Sequence, residues 1–174
     1  SLLITVVTVI PIAIFLAKNN NKKSALCLSF LTQIGVAVPS FWLGILLILL
    51  FAVTLQVLPS GDFIPFMEDP LGCIRSLILP SVAIAIGTSA VVIRYLKNTL
   101  LDQMNLDYVR TARSKGATQK RVLYRHVLKN ALLPTITILG MTVVDVLGGS
   151  IIVENVFNLP GIGHLITSGV GNRD

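Results

Sequence analysis

Four apolar stretches separated by polar segments dominate the hydrophobic pattern of the chain. They cover residues 1–17, 35–58, 77–93 and 131–153. A helix rises about 1.5 Å per residue, so about 20 apolar residues span the roughly 30 Å hydrocarbon core of a bilayer. The first stretch is slightly short, as expected of a helix cut at its N-terminal end. The pattern predicts one transmembrane domain over residues 1–174 with four spans.

The second span lies inside a longer apolar run, residues 25–58, which exceeds the length of one simple helix. Pro39 interrupts this run, and a proline removes a backbone donor and clashes with the preceding turn. We therefore expect a kink or break near Val38. Residues 24–33 are interpreted as an interfacial or half-inserted stretch, and residues 35–58 as the span.

Lysine and arginine are distributed unevenly among the polar segments. Twelve of the 14 lie in residues 18–24 and 94–130, and the other two lie in residues 59–76 and 154–174. Short cytoplasmic loops of membrane proteins carry an excess of lysine and arginine. The sequence therefore predicts that the first two segments are cytoplasmic and that the other two are outer loops.

Composition agrees with a membrane protein. The chain is 53% hydrophobic and 13% charged, with a mean hydropathy of +0.82, whereas soluble domains carry about 25% charged residues. The net charge of +6 does not indicate nucleic-acid binding, because the basic residues lie in loops between apolar runs rather than on a soluble face. The chain starts at Ser1 inside an apolar run, and we expect it to be a fragment of a longer protein.

The long basic segment, residues 94–130, is the main candidate for function, since long loops in compact proteins are commonly functional. Residues 107–115 are compatible with a short helix, and Gly116 suits the left-handed C′ position that closes it. Thr118 can cap a second, amphipathic helix. Such a basic segment either anchors on anionic lipid headgroups or docks a partner, and its pattern alone leaves both interpretations open.

The segment also carries a recognisable motif. Asp107-Tyr-Val-Arg-Thr-Ala-Arg-Ser-Lys-Gly116, followed by Arg125-His-Val-Leu-Lys-Asn-Ala-Leu-Leu-Pro134, resembles the "EAA" loop of ABC importer permeases. The general form of that loop is Glu-Ala-Ala, three residues, then Gly, and here Arg110 replaces the glutamate. Arg-Thr-Ala-Arg-x-Lys-Gly is the form associated with oligopeptide, dipeptide and nickel permeases. The usual proline about a dozen residues after the glycine comes later here, at Pro134.

Two further motifs extend this resemblance along the chain. Val38-Pro-Ser-Phe-Trp-Leu-Gly44 resembles the start of a transmembrane helix in the same permeases, and Glu154-Asn-Val-Phe-Asn-Leu-Pro-Gly-Ile-Gly163 resembles their outer segment. The resemblance implies an all-α, polytopic helical bundle of the type I ABC importer permease class. In that class another transmembrane helix follows a segment such as Asn-Arg-Asp174, so we expect the chain to be truncated at both ends.

The resemblance implies a transport subunit rather than an enzyme. In this family the loop forms a coupling helix that inserts into a cleft on a cytoplasmic ATPase subunit. The expected partners are a second permease, identical or homologous, two ATPase subunits, an extracytoplasmic solute-binding protein and the lipid bilayer. No Gly-x-x-x-x-Gly-Lys-Ser/Thr phosphate loop is present, so ATP and magnesium are expected to bind the ATPase subunits. The motif assigns the coupling role to Tyr108, Arg110, Thr111, Ala112, Arg113, Lys115 and Gly116.

Asp145 lies in the middle of the fourth span. A lone carboxylate there costs at least about 2.5–3.5 kcal/mol on insertion scales. Either it lines the translocation path and contacts a cationic or amine-bearing substrate, or it is a protonated or hydrogen-bonded packing residue against Thr142 or a neighbouring helix. The two histidines, His126 and His164, lack the spacing of a metal site. We therefore predict no catalytic, cofactor-binding or metal-binding residue.

The expected substrates are peptides, nickel or metal chelates, among which the sequence does not choose. Two alternatives belong to other classes. An intramembrane enzyme would need paired polar residues within the spans. Only one such residue, Asp145, is available there. A non-transporting membrane scaffold would not need the Arg-Thr-Ala-Arg-Ser-Lys-Gly116 loop. Co-purification of an ATPase would favour the transport interpretation over both the enzyme and the scaffold.

Overall fold

A computed structural model describes residues 1–61, 63–161 and 163 of the chain. Their regular structure is helical, and the described residues contain no strand. The helices are α1 (Leu2–Lys18), α2 (Lys23–Ala37), α3 (Ser40–Leu47), α4 (Pro70–Met104), α5 (Asp107–Ser114), α6 (Gln119–Val122) and α7 (Leu128–Val156). Two π-helical segments, Ile48–Thr54 and Leu123–Val127, follow α3 and α6 directly. The predicted all-α class is confirmed.

The long apolar helices have the dimensions of membrane spans. By length and composition, the ranges Pro70–Met104 and Gln119–Gly148 are each sufficient to cross a bilayer. A third span results if the helices on either side of Pro39 form one crossing. Helix α1 is apolar but has only 17 residues. The four apolar stretches are thus largely helical, with bounds that differ from those predicted, and the number of membrane crossings stays a prediction.

The break at Pro39 is confirmed, whereas the predicted boundaries around it are wrong. Helix α2 is continuous from Lys23 to Ala37, so residues 35–37 belong to it rather than to the following span. The chain then leaves helical geometry, and α3 begins at Ser40 after Pro39, whose φ is −60°. Proline at this position fits the N-terminus of a helix, where its missing N–H has no acceptor to lose.

Helices α4 and α7 are longer than the apolar stretches that predict them. Helix α4 has 35 residues and includes Pro70–Ser76 from the predicted outer loop and Arg94–Met104 from the predicted cytoplasmic loop. Polar residues mark where a helix leaves the hydrocarbon, but nothing requires the helix to end there. Lys97, for example, lies within α4, and its ammonium group donates to the Ser29 hydroxyl of α2 at 3.1 Å.

The described chain forms two compact units, each with its own core. The first comprises residues 1–5, 37–88 and those from Val143 onward, and its core centres on Leu79, Val153 and Phe157. Apolar residues of α3, the π-helical segment after it and α4 pack around these three side chains. The hydroxyl groups of Thr5 and Thr88, 3.0 Å apart, form a polar contact within this unit.

The second unit comprises Val6–Val36 and Ser89–Thr142. Its core joins side chains of α1, α2 and α4 to the short helices that follow α4. Leu16, Leu96 and Leu100 are fully buried in it, and so is Val109 of α5. The basic segment is therefore held on a packed apolar base rather than extending freely from the membrane helices.

Candidate functional site: a basic coupling segment

The coupling segment, defined here as residues 107–127, contains every residue that the loop motif assigns to ATPase coupling. Its first element, α5, is a two-turn helix with one buried position, Val109, and a mostly exposed opposite face. The Tyr108 hydroxyl donates to the Gln103 side chain at 2.8 Å and ties α5 to the end of α4. Asp107 pairs with Arg110 at 3.5 Å, but both side chains are highly exposed, so the pair adds little stability.

Gly116 closes α5 as the sequence predicts. Its N–H donates to the Arg113 carbonyl at 2.9 Å, and the Ala117 N–H donates to the Ala112 carbonyl at 3.1 Å. These two bonds define a Schellman motif with Gly116 at C′, and its φ of 81° lies in the left-handed region that favours glycine. The turn therefore fixes the direction in which the chain leaves α5.

Thr118 caps the next helix, also as predicted. Its hydroxyl oxygen accepts from the Arg121 N–H at 3.4 Å. Helical structure then continues through α6 and the π-helical segment into α7, so the predicted second loop helix and fourth span are continuous. Val122, Leu123 and Val127 are buried, and the basic residues around them are exposed. Pro134, which comes later in the chain than the proline usual for this motif, lies inside α7.

A cleft of about 500 Å³ lies within the coupling segment. Five of the motif residues line it: Tyr108, Thr111, Ala112, Lys115 and Gly116. Ala117, Arg121 and His126 complete the lining and were missed by sequence reasoning. The signal that could have found them was the predicted Thr118 cap, which sets the helical register of the residues after it. Arg110 and Arg113 are exposed but do not line the cleft.

Asp145 lies on an exposed face of α7, in the first unit. Met141, Val144 and Leu147 on the same stretch of helix are also more than half exposed. Among the described residues, no hydrogen bond or ion pair of the Asp145 carboxylate is found. The Thr142 hydroxyl, which the packing interpretation pairs with it, donates instead to the Leu139 carbonyl at 2.8 Å. Asp145 is thus available to a group outside this unit.

Glu154 is a second acidic residue of α7 that sequence reasoning did not single out. Its carboxylate accepts from the Gly163 N–H at 2.8 Å and from the Ser150 hydroxyl at 3.0 Å. A Cβ atom at Gly161 would collide with the same carboxylate. Residue 163 lies nine positions along the chain, so no local sequence signal marks this contact. It holds the chain after α7 close to the last turns of the helix.

The helix end beside Glu154 is tightly packed. Asn158 has a φ of 49°, and the Leu159 N–H donates to the Glu154 carbonyl at 2.8 Å. Phe157 is buried, and a Cβ atom at Gly44 would lie only 2.9 Å from its ring. We call residues 153–163, as far as they are described, the α7 end.

The acidic residues of the predicted outer loop and the two histidines show no site-like arrangement or lie outside the described residues. Asp69 accepts from the Leu71 N–H at 3.0 Å at the start of α4, and Glu68 is exposed. His126 lines the cleft, whereas His164 and Asp62 lie outside the residues that the structure describes. Within the described ranges, no group of three histidine, cysteine, aspartate or glutamate side chains is placed to hold a metal ion.

Comparison with known proteins places these features in one family. Residues 9–174 match the family model described as a binding-protein-dependent transport system inner membrane component. A Brucella abortus protein provisionally named as a peptide transport system permease is 43% identical over 144 residues, which are 83% of this chain and 46% of that protein. The oligopeptide transport system permease proteins AppB of Bacillus subtilis and OppB of Salmonella typhimurium are 39% and 38% identical.

These last two matches cover 95% and 80% of this chain, and 53% and 44% of AppB and OppB respectively. The chain therefore spans about half the length of the curated relatives it matches.

Proposed function

The chain belongs to the family of binding-protein-dependent transport system inner membrane components, and we propose that it is a permease subunit of an ATP-driven ABC importer for peptides. As a family member with apolar membrane helices, it is a multi-pass inner-membrane protein. The names of AppB and OppB include oligopeptide transport, which favours peptides over nickel or metal chelates as the substrates to test first.

The proposal rests on the structure of the coupling segment, in which a short helix with exposed basic residues is closed by a fixed turn. The small residues Thr111 and Ala112 of α5 would allow this helix to lie deep in a groove on the partner. The Gly116 turn closes α5, which packs on the core below it. The Arg110, Arg113 and Lys115 side chains surround it with positive charge and are exposed. We propose that these residues dock on a cytoplasmic ATPase subunit. Two such ATPases bind ATP and magnesium and close on each other.

The proposed transport cycle follows from that docking. Closure of the ATPases would move the docked segments as levers and switch the membrane helices between inward- and outward-facing states. A second permease, identical or homologous, would form the other half of the pathway, and an extracytoplasmic solute-binding protein would deliver the substrate. In this scheme the segments 18–24 and 94–130 lie on the cytoplasmic side. The chain itself catalyses no bond cleavage.

Asp145 is proposed to line the translocation path. Its exposed carboxylate lies on a membrane helix, and lipid contact would cost at least about 2.5–3.5 kcal/mol on insertion scales. A water-filled path, or an amine-bearing substrate within it, removes that cost. Asp145→Asn should therefore lower uptake of peptides with a free amino terminus more than uptake of N-acetylated peptides. Equal uptake by both proteins across substrates and pH would remove Asp145 from the path.

The docking proposal is tested by recovering the ATPase with the full-length permease purified in detergent. Gly116→Pro cannot adopt a φ of 81°, because the proline ring holds φ near −65°. Ala112→Trp fills the cleft with a bulky ring. Both variants should lose the ATPase while they remain folded and monodisperse. Met67→Trp, at a 96% exposed position far along the chain from the segment, is the matched control and should retain it.

Recovery of the ATPase with Gly116→Pro and Ala112→Trp at the wild-type level would contradict the docking proposal. Failure of the wild-type protein to recover any ATPase would contradict it as well. The coupling segment would then be a basic membrane-surface segment, for which binding to anionic vesicles is the direct measurement.

A further inference from the structure

Two exposed basic side chains, Lys115 and Arg121, line the cleft of the coupling segment. Insertion of α5 into a groove of the ATPase would not by itself require basic residues in this cleft. We propose that the cleft receives a carboxylate-bearing side chain from the partner ATPase, so that each protein inserts a group into the other. This inference rests on the proposed function. The inference adds Arg121 and the cleft to the docking surface defined by the loop motif. It also specifies that the ATPase group entering the cleft is a carboxylate.

Charge complementarity identifies the occupant as acidic. Residues 107–127 contain six arginine and lysine residues and one acidic residue, Asp107. Asp107 is paired with Arg110 and does not line the cleft. The lining contains no acidic side chain, and its lysine and arginine are Lys115 and Arg121, both exposed. Neither forms a salt bridge with a described residue, so their charges are available to a partner.

The cleft is also shaped before any partner arrives. Lys115 precedes and Arg121 follows the Gly116 turn in the chain, and two backbone hydrogen bonds hold this turn in place. The Thr118 cap fixes the start of the helix that carries Arg121. The hydrogen bond from the Tyr108 hydroxyl to the Gln103 side chain restrains the Tyr108 ring, which lines the cleft. A preorganised site loses less conformational entropy on binding than a flexible one does.

The lining favours a protein side chain over a phosphate headgroup. Tyr108, Ala112 and Ala117 give the cleft an aromatic and aliphatic surface beside its two cations. A glutamate or aspartate side chain matches both parts, because its aliphatic stem contacts the apolar surface and its carboxylate meets the cations. Arginine can bind a carboxylate through two parallel hydrogen bonds. The volume of about 500 Å³ lies in the range of roughly 300–1,000 Å³ usual for binding pockets.

Neighbouring basic residues provide a matched experiment. Arg121 lines the cleft and Lys120 does not, although both are exposed and adjacent in α6. Arg121→Gln and Lys120→Gln remove the same charge from the full-length permease. The measurement is the affinity of each variant for the purified ATPase at several salt concentrations. Arg121→Gln should weaken binding at least about tenfold at every salt concentration, mainly through faster dissociation, because the partner carboxylate is left desolvated and unpaired. Lys120→Gln should weaken it by less than about threefold.

Three results would overturn the inference. Equal losses in the two variants would show that general positive charge, rather than the cleft, attracts the ATPase. Wild-type affinity in Arg121→Gln would show that no acidic group enters the cleft. Normal ATPase binding combined with reduced binding to phosphatidylglycerol vesicles would assign Arg121 to the membrane surface. If Gly116→Pro releases the ATPase while Arg121→Gln does not, the docking proposal stands and only this inference fails.

Discussion

The coupling segment and the α7 end both close a helix around a residue of positive φ, yet their surroundings differ. Gly116 is exposed, and a Cβ atom added there would meet nothing within 4 Å. At the α7 end, a Cβ atom at Gly163 would lie 2.7 Å from the Ile151 backbone, and Gly161 has no room beside Glu154. Gly116 is favoured by backbone conformation and Gly163 by close packing on the backbone, whereas a side chain at Gly161 would have to displace the Glu154 carboxylate.

This difference fits the proposal that the coupling segment docks a partner, whereas the α7 end packs on itself. The coupling segment keeps an open cleft and unpaired cations above a buried base. The α7 end fills its own space with Phe157 and satisfies the Glu154 carboxylate internally. Substitutions at the α7 end should therefore act mainly on stability, and substitutions in the coupling segment mainly on ATPase binding.

The largest expected effect is from Phe157→Ala. Phe157 is 1% exposed and contacts the core around Leu79 and Val153. Truncation of a buried phenylalanine costs about 3–5 kcal/mol of unfolding free energy, so the melting temperature in detergent should fall sharply. Phe66→Ala, at a 63% exposed position, is the control and should change stability by less than about 0.5 kcal/mol. Equal melting temperatures for the two variants would contradict the packing account.

Glu154→Gln should have the next largest effect. The variant keeps the side-chain shape but replaces the charged acceptor of the Gly163 N–H with a neutral one. Hydrogen bonds to charged groups contribute about 1.5–3 kcal/mol, and the half-buried position should give a loss near 1.5 kcal/mol, the low end of that range. Hydrogen exchange should accelerate in the peptide containing residues 158–163. Glu68→Gln, at an exposed carboxylate, is the control, and unchanged exchange in Glu154→Gln would disprove the contact.

An effect of comparable size is expected from Gly116→Ala. No atom blocks the new methyl group, so only the strain of a positive φ opposes it, about 1–2 kcal/mol. Because that strain falls on the conformation that docks, ATPase affinity should drop roughly fivefold to thirtyfold. Gly116→Asn should lose much less, since asparagine tolerates the left-handed region. Identical affinities for wild type and the alanine variant would show that the turn is not maintained in the complex.

The smallest effect should come from Asn158→Gly. Glycine adopts the observed φ of 49° without strain, so the melting temperature should shift by an amount equivalent to less than about 0.5 kcal/mol. Asn158→Ala imposes the left-handed penalty and should cost about 1 kcal/mol. A larger loss in the glycine variant than in the alanine variant would mean that the asparagine side chain, rather than its backbone, closes the helix.

Features that depend on neighbouring residues could be predicted from the sequence. The break before Ser40 follows from Pro39, and the closure at Gly116 and the cap at Thr118 follow from the conformational preferences of those residues. The positions of the apolar helices follow from hydrophobicity in the same way. Each of these predictions needs only a few residues of context, which a single sequence provides.

Features that depend on contacts between distant residues could not be predicted. The extension of α4 to Met104 is supported by its packing and by the bond from Lys97 to Ser29, 68 positions away. The hydrogen bond between Glu154 and Gly163 requires the chain to fold back after Asn158. The inclusion of Arg121 and His126 in the cleft likewise depends on how α5 and the following helix pack together.

The most direct test of the central claim is site-specific photocrosslinking in the assembled full-length importer. A photoreactive amino acid replaces Thr111 in the coupling segment and, in a second protein, Met67 in the predicted outer loop. Both positions are exposed in this chain. If the segment docks as proposed, Thr111 crosslinks to an ATPase subunit and Met67 does not. Crosslinking of Thr111 to lipid alone, or of both positions to the ATPase, would contradict the account.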